Sequence, residues 1–238
     1  MKRATLLIIG LLVPAPLLAQ ALPRPLPQVT QLAYSDNTDS LLTLQQTLLA
    51  SEQPGRHFWA AFLSHRMAYQ SSDLERHQRV ALLEQCADLT RGQQDALSLA
   101  LRANCFGGII GLSPLRAMTL GSRSSAAMDG ALAMHPNHPF VLLQAAVSDL
   151  KTPRAWGGSP GRAVERLRLL MGSVSEQDPW HWLLPEVSGH LAQALLQSDQ
   201  PERAAEVLAR GRQLAPDYAW LQQIAESIAA SPAAPEKR

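Results

Sequence analysis

Seven histidines and two cysteines are the side chains of this 238-residue chain best suited to metal or nucleophilic chemistry, and their spacing is wrong for it. His135 and His138 flank Pro136-Asn137 with no third ligand nearby, so they read as caps at a helix junction. His181 and His190 sit apart beside Trp180 and Trp182 and read the same way. There is no H-E-x-x-H, C-x-x-C, G-x-S-x-G or P-loop pattern. The sequence therefore predicts a protein that is not an enzyme, with no catalytic, cofactor-binding or metal residues. Gly107-Gly108 and Gly111 lack the lysine and the preceding strand of a phosphate cradle, and read as a helix break or a close backbone approach. Gly157-Gly158-Ser159-Pro160-Gly161 opens a helix whose first N–H groups could meet an anion; a plain turn and helix start is the simpler reading. The tryptophans carry more. Trp156 stands in a loop, and Trp180 and Trp182 at the approach to a helix. Each is either a partner-binding anchor or a plug between helices.

The elements that must position these residues are helical. Apolar residues recur at helical spacing from Asp36 to Ala50 and from Arg56 to Gln70, with a third run after Ser71-Ser72-Asp73 and a fourth from Gln93. A stretch at 107–114 interrupts, and a helix follows from Leu115 to Met134. Asn137-His138-Pro139 starts the next, Thr152–Pro160 interrupts, and Ala163, Leu167 and Leu170 mark its successor. Two further helices flank Ser198-Asp199-Gln200, with Pro201 at a first-turn position that tolerates it. A last helix runs from Asp217 to Ala230, and 231–238 reads as a disordered tail. Residues 22–35 are proline-rich and read as an extended linker, with Val29, Leu32 and Tyr34 as candidates to dock on the first helices.

Lys2 and Arg3, a short apolar run broken by Pro14 and Pro16, and Ala19-Gln20-Ala21 make residues 1–21 an expected signal peptide. The run is too short for a spanning helix, so no stable membrane span is expected once the leader is removed, and the address is periplasmic or secreted. With a formal net charge of +1 and no basic stripe, nucleic acid is not an expected partner. An oxidising compartment favours a bridge between Cys86 and Cys105. Helix geometry opposes it: with a turn near Thr90-Arg91-Gly92, the pair lies more than about 10 Å apart along the axes.

The stretch from Pro185 to Pro216 resembles a tetratricopeptide repeat (TPR), a helix–turn–helix unit of about 34 residues. Leu191-Ala192 stands at the family's Leu-Gly pair, Leu195 at its Tyr, Ala204 at its Ala, Leu208 at its Phe and Pro216 at its terminal Pro. Ser188 replaces the family's Trp, and Gly211 an Ala. Weaker echoes appear at Ala96–Ala103 with Ala127, Ala131 and Pro136, and at Phe140–Leu150 with Ala163–Leu170. Thr152-Pro153 and Trp156-Gly157-Gly158 are similar to an insertion in secreted bacterial TPR-like proteins of poorly defined function. The resemblance implies an all-α, TPR-like solenoid of about ten helices over residues 36–230, with inserted loops. It also implies a concave groove faced by Glu186, Gly189, Gln193 and Gln197. The expected function is a non-enzymatic scaffold or adaptor that binds a protein or peptide in that groove. The alternative is a small-molecule or lipid-binding accessory protein with a pocket near 107–114 and 152–160.

Overall fold

Short polar residues, prolines and glycines close this chain into helices at nearly every junction. A computed structural model describes residues 22–71 and 73–230; the expected leader and tail, and Ser72, lie outside them. Among the described residues there are eleven α-helices and no strand. They are α1 (Pro27–Leu32), α2 (Thr38–Ala50), α3 (Arg56–Gln70), α4 (Arg76–Leu89), α5 (Ala96–Leu112), α6 (Ala117–Met134), α7 (Pro139–Lys151), α8 (Pro160–Ser173), α9 (Leu184–Leu196), α10 (Pro201–Leu214) and α11 (Ala219–Ala230). Single 3-10 turns precede α6, α8 and α9.

The caps follow side-chain chemistry. Asn37 Oδ1 accepts from Ser40 N at 2.9 Å, and Asp95 Oδ1 from Leu97 N and Ser98 N at 3.1 and 3.0 Å. His138 caps α7 by accepting from Phe140 N at 3.2 Å through Nδ1, which absorbs the junction histidine into structure. Gly55 starts α3 from a left-handed φ of 77°, a conformation that costs glycine nothing.

Helices adjacent in sequence pack together, and the odd-numbered ones also touch in series, α3 with α5, α5 with α7, α7 with α9 and α9 with α11. One hydrophobic core runs throughout, from Val29 to Ile224. The close approaches rest on small residues. Ala192 and Ala204 are fully buried between α9 and α10, and a Cβ on Gly211 would come within 2.6 Å of Ser188 Cβ. The two departures from the repeat pattern therefore face each other.

Three expectations need correction. Residues 22–35 are not simply an extended linker, because Pro27–Leu32 forms α1 and Val29 is fully buried. The glycines at 107, 108 and 111 do not break a helix, since α5 runs through them to Leu112. Gly108 is there for space: a Cβ would collide with the Tyr69 hydroxyl of α3 and lie 2.9 Å from a Leu83 methyl of α4. Finally, Cys86 and Cys105 are disulfide-bonded, with Cα atoms 6.2 Å apart. The connection at 90–95 carries the chain past the end of α4 before α5 begins. Arg102, not Ala96, lies level with that end, donating to the carbonyls of Thr90 and Arg91 at 2.9 Å each. Counting back from Thr90 and on from Arg102 then brings the two cysteines opposite each other.

Candidate functional site

The candidate binding residues divide between two places. Trp180, Trp182, Glu186 and Gly189 lie in an interior seam, and Trp156, Gln193 and Gln197 lie on an outer shelf.

The seam forms because α3 crosses onto the face made by α7 and α9. Phe58 reaches Phe140 of α7 at 5.3 Å between centroids, and Phe62 reaches Trp182 edge-on at 5.6 Å. Trp59 stacks on Trp180 at 6.2 Å, and Trp180 lies 6.1 Å from Trp182. The seam tryptophans therefore act as plugs. Behind them, Arg66 of α3 pairs with Glu186 of α9 through Nη2 and Oε2, with side chains 6% and 7% exposed. His190, one turn on, brings Nε2 to 3.7 Å from Glu186 Oε1. Burial alone would raise the Glu186 carboxyl, but the guanidinium and the imidazole hold it at about 2. Burial lowers His190 despite that carboxylate, so its imidazole stays neutral near neutral pH. Gly189 is glycine because the Trp220 ring of α11 occupies the place of a Cβ. The expectation that Glu186 and Gly189 face an open groove is corrected. That face is filled by α3, by Tyr34 and by α11.

The shelf is built on Asp149 near the end of α7. Its buried carboxylate accepts from Arg162 Nε at 2.9 Å on Oδ1, and Arg166 pairs with Oδ2. Arg162 also reaches the Gly157 carbonyl at 2.6 Å, and Ser159 N donates to the Asp149 carbonyl at 2.8 Å. Gly158 packs so tightly on the Thr152 carbonyl that no Cβ would fit, and Gly157 takes a φ of +93°. The 152–160 loop is thus pinned from three sides. Trp156 projects from it, 65% exposed.

Beside Trp156's turn lies an open depression of about 410 Å³ lined by Lys151, Thr152, Pro153, Arg154, Pro160 and Gln197. Lys151 donates to Gln193 Oε1 at 3.1 Å, and desolvation lowers its pKa. No protein-family model matches the chain, and no curated protein matches it. A second depression, about 640 Å³, lies between α3 and α4 and presents His57, Glu84 and Asp88. Among the described residues no helix is long and apolar enough to cross a membrane, and no group of three or more His, Cys, Asp or Glu is placed to hold a metal.

Sequence reasoning missed Lys151, Arg154 and Asp149. Asp149 carried a faint signal as an acidic residue on an otherwise apolar stretch of α7, answered by arginines at the start of α8.

Proposed function

We propose that this chain is a non-enzymatic, TPR-like adaptor, exported by its leader, that takes hold of a protein partner at the outer shelf. The observation that carries the reading is the mounting of Trp156. A large exposed indole on a loop pinned by Asp149, Arg162 and two glycines loses little freedom on binding, the property that makes tryptophan an interface anchor. Arg154 shares its 3-10 turn, and Lys151 and Gln197 line the neighbouring depression, so the surface suits a peptide with an apolar residue beside acidic ones. The Cys86–Cys105 bridge suits an oxidising compartment. The serial contacts of α3, α5, α7, α9 and α11 support the repeat reading, in which first helices line one face.

The test is a pull-down from periplasmic extract with parent, Trp156→Ala and Gln197→Ala proteins. A partner retained by the parent and weakened about tenfold or more by Trp156→Ala supports the shelf as the docking site. A partner retained equally by all three removes it. The second reading, a small anionic ligand in the 410 Å³ depression, rests on Lys151 and Arg154 lining it. Native mass spectrometry showing a retained small molecule, lost on Arg154→Ala, would favour that reading.

A further inference from the structure

The seam's outer edge is already occupied by a peptide, and that peptide belongs to this chain. Residues 22–26, Leu-Pro-Arg-Pro-Leu, lie outside any helix, and Leu26, in an extended conformation, leads into α1 through Pro27. The Trp59 indole N–H donates to the Arg24 carbonyl at 3.0 Å. Pro23 lies over Gly55, 3.3 Å from where a Cβ there would stand. Further along, Gln70 Nε2 donates to the Ala33 carbonyl at 2.8 Å. The Tyr34 hydroxyl donates to the Trp182 carbonyl, and its ring lies 4.6 Å from that of Tyr218.

We propose that the trough formed by Gly55, Trp59, Gln70, Trp182 and Tyr218 is a peptide-binding site for extended, proline-containing segments, held here by residues 22–34 in cis. This inference is independent of the shelf. Three features mark the trough as a receptor. Its polar side chains read main-chain carbonyls, which any sequence offers. An indole N–H donating to a carbonyl between prolines is how aromatic grooves take polyproline-like strands, which are stiff and lose little entropy on binding. The Arg24 side chain is exposed, so that position is free to vary, whereas Val29 and Tyr34 fill fixed places. The tether to α2 is short, and Asp36 and Asn37 within it are exposed. The partner class is a segment of another polypeptide with a proline–x–proline stretch, then a short helix and a tyrosine.

The test inserts a specific protease site between Ser35 and Asp36 of the full chain, cuts the folded protein, and follows a fluorescent peptide with the sequence of residues 22–35 by anisotropy. Cut protein should release its own segment on dilution, keep its helical circular dichroism and bind the labelled peptide saturably. Uncut protein should bind it at least about tenfold more weakly because the site is filled. Trp59→Phe should weaken binding to the cut protein by roughly two- to tenfold, the worth of one hydrogen bond. A peptide with Pro23 and Pro25 replaced by alanine should bind worse still, and Trp156→Ala should change nothing. In the uncut chain, Tyr34→Ala should raise amide exchange in residues 29–33, whose N–H groups are bonded within and around α1, while the α9 amides stay protected. The proposal is overturned if the cut segment cannot be chased by excess peptide, if its release unfolds the helices, or if Tyr34→Ala leaves residues 29–33 as protected as in the parent.

Discussion

Glu186 and Asp149 are both carboxylates withdrawn from solvent and both answered by arginine, but the arginines differ. Arg66 is as buried as Glu186, at 6% exposure, whereas Arg162 is 48% and Arg166 24% exposed. In the seam both charges have left water, and their attraction must offset two desolvation penalties. On the shelf only the carboxylate has, and its partners remain partly hydrated. The first arrangement welds α3 to α9 across a long stretch of sequence. The second fixes a local loop and leaves cationic side chains at the surface. A buried ion pair thus joins distant helices where both ends are enclosed and anchors a surface loop where one end is open.

The largest expected effect breaks the seam. Arg66→Met strands the Glu186 carboxylate without its cation, and unfolding free energy should fall by about 3–5 kcal/mol in denaturant titrations. The double change Arg66→Met with Glu186→Leu should recover most of it, because no buried charge is left unpaired. A loss of under about 1 kcal/mol for the single change would show the pair is hydrated.

Asp149→Asn should cost less, about 1–3 kcal/mol, since its arginines can turn to water. Its sharper signature is local: hydrogen exchange in residues 152–160 should rise while α9 stays protected. Uniform exchange changes would erase the distinction between the two regions.

Acid separates the regions further. Burial holds His65 at about 3 and His138 at about 4, and lowers His190. Folded values below the usual 6.5 mean the unfolded chain binds protons first, so stability falls as pH drops from about 6.5 toward 4. Glu186, held at about 2 against an ordinary value of 4.5, contributes stability that is lost as pH falls through that lower window. These groups lie in or beside the seam, so exchange should rise there before the shelf. Stability flat between pH 7 and 4.5 would contradict the neutral, buried state of these imidazoles.

Trp156→Ala gives the smallest stability effect, within about 0.5 kcal/mol, because the ring is mostly in solvent. Thermal melts should superimpose on the parent while binding of any shelf partner weakens about tenfold or more.

Much of the helical order was legible in the sequence. The boundaries of α2, α3 and α10 follow from caps, Pro54-Gly55 and Pro201, which act within a turn of where they stand. Gly107, Gly108 and Gly111 misled because a glycine's helix penalty is only about 1 kcal/mol and α5 tolerates it, while the clash that Gly108 alone avoids, with Tyr69 and Leu83, involves two other helices. The cysteines misled because axial rise was counted from the turn, and only the level of Arg102 against Thr90 fixes the offset. The candidate sites divided along the same line. Trp156 could be placed in a connection between helices from loop residues alone, but whether Trp180 and Trp182 are anchors or plugs depended on α3, far away in sequence.

The sequence by itself determined most of the helices from α2 onward, their order and the small residues at α9–α10, because periodicity, capping and proline chemistry act over a few residues. The tertiary structure alone decided that α3, Tyr34 and α11 fill the face of α9, that Glu186 meets Arg66, and that Asp149 pins the loop carrying Trp156. Those outcomes depend on burial and on pairs of groups brought together from distant positions, which no local pattern encodes.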